Sequence, residues 1–265
     1  MNILEALILG IIQGLTEFLP VSSSGHLEIG KQLLGVTATD NLTFTVVVHG
    51  ATVMSTIVVF RKTLWKLITG LFAFKWNEET QYIAKIAFSM VPIAIVGFMF
   101  KDQVEAIFNS PFILMIVGGC LIFTALLLGF TYYKRAGDKD ISFGHALIIG
   151  VAQTIAVLPG VSRSGSTIAT ALLLGNKREE AAKFSFLMVL VPILGENVLS
   201  LFKADYTQAT TVSAWPLVVG FIAAFGAGLL ACQWMINIVK QGKLIWFAIY
   251  CAIVGLVAFT GSVFF

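Results

Sequence analysis

Residues 13–26 read QGLTEFLPVSSSGH, setting a carboxylate, an imidazole and three consecutive hydroxyls inside an otherwise apolar run. Gln13 and Glu17 stand i, i+4 and share one face of a helix. Pro20 ends that helix, and Ser22, Ser23, Ser24 and Gly25 lead into a second one, expected to begin near His26. Hydroxyls ahead of a helix start, with free backbone N–H groups and the positive end of the dipole, form an anion site. A second stretch, LPGVSRSGST at 158–167, repeats the arrangement and places Arg163 among Ser162, Ser164, Gly165 and Thr167. The planar guanidinium fork matches the oxygens of a phosphate group.

Joined, the two stretches supply what phosphoryl transfer requires. Arg163 and two helix starts hold the phosphate and stabilise charge, with Ser22, Ser24, Gly25, Ser162, Ser164, Gly165 and Thr167 as phosphate-binding positions. Ser23 or His26 is placed to attack, unless water does. Glu17 orients or deprotonates the attacking group, or joins Gln13 in binding a divalent cation, Mg or Ca. His26 in the first turn of its helix is favoured as a neutral ring with a lone pair to offer. His49, in the span that follows, is a candidate for supporting this group. Plainer roles stay open for each: Glu17 as a helix cap, Glu17–Arg163 as a structural ion pair, His26 as a packing residue.

The elements that must position these groups are membrane helices. Of 265 residues, 58% are hydrophobic and 12% charged, with mean hydropathy +0.92, whereas a soluble domain is about a quarter charged. Apolar runs close to the ~20 residues that cross a bilayer recur at 42–60, 84–100, 112–133, 184–202, 215–236 and 244–265. No polar stretch is left for a soluble domain, no cleavable signal peptide is expected, and a net charge of +3 argues against a nucleic-acid partner. Cys120, Cys232 and Cys251 lie in apolar runs without metal-ligand spacing and read as packing residues. Gly118–Gly119 and Gly226/Gly228 read as sites of close helix contact. The basic stretches 61–75 and 177–183 read as solvated loops, His145 as interfacial. Glu196 and Asn197 interrupt an apolar run in a role left open.

An offset of 140 lays residues 6–35 over 146–175 without a gap, with 12 of 30 positions identical. The chain is thus one membrane domain, 1–265, of two repeats, 1–135 and 141–265. In each, an apolar helix, a Pro/Gly/Ser break and a half-length helix open the repeat. Residues 26–35 would rise only ~15 Å, half the hydrocarbon thickness. If both pairs are re-entrant, six spans remain. Thirteen Lys/Arg (Arg61, Lys62, Lys66, Lys75, Lys85, Lys134, Arg135, Lys139, Lys177, Arg178, Lys183, Lys240, Lys243) then share one side and three (Lys31, Lys101, Lys203) the other. If both cross, the split is nine against seven, so positive-inside bias selects the re-entrant form. Three spans per repeat make the halves inverted, put both termini and the site opening on the charge-poor exterior or periplasmic side, and bring the loops together near the midplane. The expected fold is an all-α polytopic membrane protein of six transmembrane helices and two re-entrant pairs. Its substrate, reached through apolar surface, is a lipid with a phosphate head. Membrane lipids, and room for a homodimer, complete the partners.

QGLTEFLPVSSSGH and LPGVSRSGST, with KFSFLMVLVP at 183–192, closely resemble the bacterial undecaprenyl-diphosphatase family, also called bacitracin-resistance proteins, over the whole chain. The resemblance implies hydrolysis of undecaprenyl diphosphate to undecaprenyl phosphate and inorganic phosphate outside the bacterial cytoplasmic (inner) membrane, recycling the cell-wall lipid carrier. The family's acidic motif corresponds to Gln13 and Glu17, its serine and histidine to Ser23 and His26. Its arginine motif corresponds to Pro159, Gly160, Ser162, Arg163, Ser164 and Thr167. The family is described as divalent-ion dependent, and Gln13 stands where many members carry Glu, removing one ligand. A different class of function, a polyprenyl-phosphate transporter or flippase, is motivated by the inverted repeat. The uneven halves, Glu17 and His26 in one loop and Arg163 in the other, favour the enzyme.

Overall fold

In a computed structural model, residues 1–36, 41–134, 137–195 and 214–262 are described, and their regular elements are helices. In chain order these are α1 (Ile3–Phe18), α2 (Ser23–Leu34), α3 (Asn41–Val59), α4 (Arg61–Leu71), α5 (Glu78–Ser89), α6 (Val91–Met99) and α7 (Lys101–Phe108). After them come α8 (Ile113–Tyr132), α9 (Phe143–Ile155), α10 (Arg163–Leu173), α11 (Arg178–Met188), α12 (Ala214–Gln241) and α13 (Ile245–Gly261). Polar punctuation in the sequence sets several boundaries. Asn2 and Glu5 form a capping box on α1, Asn77 and Ser142 cap α5 and α9, and Gly35 closes α2 at φ 66°.

The hairpin α1–α2 and the hairpin α9–α10 open the two repeats, and each leans on a helix of the other repeat. A Cβ on Gly14 of α1 would sit 2.5 Å from the Ala224 carbonyl oxygen of α12, and one on Gly10 only 2.6 Å from that of Gly220. Gly150, at the position equivalent to Gly10, presses α9 against the Ser89 backbone of α5. Gly118 and Gly255 do the same where α8 meets α13. Small residues let backbones approach where lipid supplies no hydrophobic drive between helices. The halves are therefore interleaved into one body, whose largest core cluster, including Phe18, Ile149, Ile168, Phe184 and Met235, draws on both.

The exterior is as apolar as the interior, with Phe98, Leu230, Ile253 and Val257 all exposed. Among the described residues, Glu78–Met99 (22 residues), Ile113–Tyr132 (20) and Ala214–Gln241 (28) are long and apolar enough to cross a membrane; α3 with α4 adds a fourth if that bent pair is one span. The chain is a polytopic α-helical membrane protein.

Several expectations change. The run expected at 84–100 starts earlier, at Glu78, because Asn77 caps it. Of 184–202, only the part to 195 is described, so Glu196 and Asn197 lie outside the described residues. The basic stretch from Arg61 is helix α4, not a loop: Leu64, Leu67, Ile68 and Leu71 recur at i, i+3, i+4, i+7 beneath the charges. The 177–183 cluster likewise opens α11. Gly119 and Gly226 face open space, and the close contacts fall to Gly118 and Gly228.

One pole collects the charges. Lys66 pairs with Glu79 at 3.1 Å, Lys240 with Glu179 at 2.5 Å and Lys177 with Asp140 at 2.8 Å. The Lys177 hydrogen bond holds the Asp140 carboxyl below its ordinary range. Gly14→Ala should lower the thermal unfolding midpoint in detergent, by about 1–3 kcal/mol of overpacking. Gly119→Ala, which meets nothing within 4 Å, should leave it unchanged or slightly raised. Equal melting of the two variants would show that the α1–α12 seam is not tight.

Candidate active site

Each hairpin turns through a short polar break. Helix α1 stops at Phe18, Leu19 is extended (φ −70°, ψ 144°), and Pro20 follows without an N–H. Ser22 then caps α2 at φ 70°, ψ 98°, a region that costs a non-glycine residue about 1–3 kcal/mol and that clusters at functional sites. Its Oγ accepts the Gly25 N–H at 3.3 Å. In the second hairpin Gly160 takes φ 98°, and a Cβ there would lie 2.5 Å from the Val117 carbonyl oxygen. Ser162 caps α10, its Oγ accepting the Gly165 N–H at 3.1 Å.

Helix α2 thus begins at Ser23 rather than near His26, because Ser22 supplies the cap. Ser23 is the first residue of α2, as Arg163 is of α10. The Gly25 and Gly165 amides are consumed by the caps. The backbone N–H groups of Ser23, Ser24, Arg163 and Ser164 have no hydrogen bond to a described residue, so two helix starts present unsatisfied donors.

The tips are buried against each other. Ser164 Oγ donates to the Leu19 carbonyl at 3.1 Å, and a Cβ on Gly25 would lie 3.2 Å from Gly160 Cα. The last helix of each repeat braces the loop of the other. Thr124 of α8 accepts the Ser162 N–H at 3.0 Å, while the Cys251 thiol of α13 lies 3.5 Å from the Pro20 carbonyl oxygen.

At the centre stands Glu17, whose side chain is 4% exposed. Its Oε1 is paired with Arg163 Nη2 across the two hairpins. Its Oε2 accepts from Gln13 Nε2 at 2.8 Å and from the Ser23 hydroxyl at 2.8 Å, with His49 Nε2 at 3.9 Å. No other side-chain hydrogen bond of Arg163 runs to a described residue, which leaves most of its five donors for a ligand. A cavity of about 10 Å³, on the scale of one water molecule, is lined on one side by Glu17, Thr52, Thr56, Arg163, Ser164 and Ser185 and otherwise by the apolar Phe18, Phe186, Val189 and Ile193.

His26 makes no bond to Glu17. Its Nδ1 lies 2.8 Å from the Ser22 carbonyl oxygen, which can only accept, so Nδ1 carries a proton. Its Nε2 lies 2.8 Å from Tyr250 Oη, and the two rings stack at 5.6 Å. Thr167 departs from expectation as a phosphate contact: it is 1% exposed and its hydroxyl is spent on the Arg163 carbonyl and on Ser185 Oγ. Ser22 and Ser162, buried as caps, reach a ligand only through the helix starts they shape. Ser23, Ser24, His26 and Arg163 remain partly open. Tyr250, Thr124 and Ser185 were not singled out from sequence. Tyr250 lies 224 positions from its histidine partner in an apolar run without a motif; Thr124 is a hydroxyl inside an apolar run, and Ser185 stands within KFSFLMVLVP, one of the three stretches that carry the family resemblance.

Among the described residues no group of three or more His, Cys, Asp or Glu side chains converges, so these side chains alone build no cage for a divalent cation. Mg is more often held by one or two carboxylates with water and substrate phosphate oxygens. Here Glu17, whose oxygens already accept from Arg163, Gln13 and Ser23, and Gln13 Oε1, buried without a hydrogen-bond partner, are the groups that would hold one.

Comparison with known proteins comes to the same place. The chain is 59% identical over 259 residues to an undecaprenyl-diphosphatase of Bacteroides thetaiotaomicron, covering 97% of both chains. It is 54% identical over 260 residues to one of Christiangramia forsetii, again with 97% of each covered. At greater distance it is 38% identical over 266 residues to one of Korarchaeum cryptofilum, covering 97% of this chain and 98% of that protein. The family described as Bacitracin resistance protein BacA matches residues 6–257, a stretch that includes both hairpin tips and the bracing residues Thr124 and Cys251, and the chain belongs to that family.

Proposed function

We propose that this protein is an integral-membrane phosphatase that hydrolyses undecaprenyl diphosphate to undecaprenyl phosphate and inorganic phosphate, recycling the lipid carrier of cell-wall synthesis and so conferring bacitracin resistance. The observation that carries the reading is the convergence of Glu17, Ser23 and Arg163 from two hairpins on one buried point. The names of the relatives supply the diphosphate and the isoprenoid.

The terminal phosphate sits on the free N–H groups of the two helix starts and the remaining donors of Arg163. Ser23 is the attacking group, since its hydroxyl donates directly to Glu17. Its Oγ bonds to the terminal phosphorus, the bridging P–O bond breaks with its electrons going to undecaprenyl phosphate, and Glu17 takes the proton. Water then cleaves the phosphoserine. Arg163 offsets the charge that develops on the transferring group, and His26, fixed on Ser22 and Tyr250, borders the pocket.

In the membrane, α3, α5–α6, α8, α11 continued through residue 195, α12 and α13 mark the six spans. Hairpins α1–α2 and α9–α10 are re-entrant, entering from opposite faces to meet near the midplane. The charged pole faces the cytoplasm, and both termini and the site opening face outward. Supporting this are the 13-to-3 division of basic residues and the burial of both non-helical tips in protein. The interleaving of inverted halves also suits a transporter of polyprenyl phosphate.

Purified protein should release phosphate from a long-chain isoprenyl diphosphate in detergent, and Arg163→Ala or Ser23→Ala should reduce the rate by about 10²–10³-fold. Lipid transfer across vesicles without phosphate release would overturn the enzyme. A stability cycle on Glu17→Ala and Arg163→Ala separates the ion pair from the chemistry. Each single variant should cost about 3 kcal/mol by stranding a buried charge, and the double variant less than their sum. Strict additivity would show that the two groups do not interact. In a background without native cysteines, Lys75→Cys and Lys139→Cys should label from the cytoplasmic side and Glu105→Cys from outside. The reverse pattern would invert the orientation.

A further inference from the structure

Helix α4 turns away from α3 by 78° at Phe60. On the membrane placement proposed above, a span near the bilayer normal continues into a helix lying close to the membrane plane. Only Leu67 of α4 is buried. Trp65, Ile68 and Leu71 are 69%, 46% and 42% exposed, and the following turn adds Phe72, Phe74 and Trp76 at 67%, 89% and 66%. A surface bathed in water does not gather such a patch without a partner. Around it stand exposed cations. Lys62 and Lys75 have no ion pair among the described residues, and Arg61 donates only to the Val58 carbonyl. Lys66, in contrast, is tied to Glu79. Aromatic rings at headgroup depth with unpaired basic residues beside them are what an in-plane helix on a negatively charged leaflet requires. Four carboxylates of this pole, Glu78, Glu79, Asp140 and Glu180, line the cleft on the inner side of α4. The outward patch carries none of them.

We propose that α4 and the turn through Trp76 form a foot that binds the anionic phospholipid headgroups of the inner leaflet, aromatic side chains inserted and Arg61, Lys62 and Lys75 on the phosphates. Span α3, which brings His49, Thr52 and Thr56 to the site, is thereby anchored at its inner end.

The test uses full-length protein in vesicles of anionic or zwitterionic phospholipid brominated high or low on the acyl chain. Four of the five tryptophans are replaced by phenylalanine, leaving Trp65, Trp76 or Trp234. Trp234, exposed on α12, reports the membrane placement by itself. Trp65 and Trp76 should be quenched more by bromines near the headgroup than by deep ones. Lys62→Glu with Lys75→Glu should reduce Trp65 quenching by roughly twofold in anionic vesicles and leave it unchanged in zwitterionic ones. Quenching of Trp234 with none at Trp65 would overturn the foot, leaving that face to water or to a protein. Trp65 quenching indifferent to lipid charge and to the charge reversal would overturn headgroup binding. Loss of quenching at all three positions would instead refute the membrane placement.

Discussion

A carboxylate and a guanidinium held together inside a membrane protein constrain everything around them. Removing either charge from water carries a penalty of several kcal/mol, and their attraction offsets it only when the remaining hydrogen-bonding capacity is met. Glu17 meets it fully, with Gln13 and Ser23 on the oxygen that Arg163 does not use. Arg163 does not, and its unused donors are the point of the arrangement. The two groups, 146 residues apart, pair only if the two chain breaks meet with their backbone polar groups satisfied. That is why each break is short, capped by its own serine and braced by a helix of the other repeat.

The brace explains the glycines. Non-helical backbone deep in a bilayer must lie against protein, and Gly160 makes that contact by bringing its loop onto Val117 and Cys120 of α8. Its φ of 98° would strain any other residue. Gly10, Gly14 and Gly150 set the hairpin helices close against α12 and α5, so the position of each tip is fixed by backbone contact rather than by long side chains. A catalytic group misplaced by about an ångström loses much of its effect, and contacts between backbones leave little slack.

Much of this was legible in the sequence because the relevant signals are local or repeated. The Pro/Ser/Gly breaks and the 140-residue offset are patterns of residue type along the chain. Glu17 and Arg163 stood out because charge in an apolar run is costly. What could not be read depends on contact between distant segments. Tyr250 meets His26 through tertiary geometry alone, and Thr167 turns to Ser185 rather than to the pocket for the same reason. The start of α2 at Ser23 was a local matter, but three consecutive serines offer three candidate caps and composition does not choose among them. Helix α4 was misread because its cations drew attention from the apolar spacing beneath them.

Duplication explains why the site lies on the line between the repeats. Two copies of one break give two helix starts facing each other, a symmetric cradle for negative charge. Chemistry needs the opposite of symmetry, since a group that gives up a proton and one that stabilises charge must differ. The side chains supply that difference on an equivalent backbone: Ser23 answers Arg163, Glu17 answers Val157 and His26 answers Ser166. Gln13 and Gln153 remain alike in sequence, yet Gln13 donates to the Glu17 carboxylate while Gln153, among the described residues, donates only to the Met90 sulfur, 3.7 Å away. With no acid at 157, the second glutamine has no charge to support. One repeat therefore carries the carboxylate and the other the guanidinium, and their pairing needs both halves.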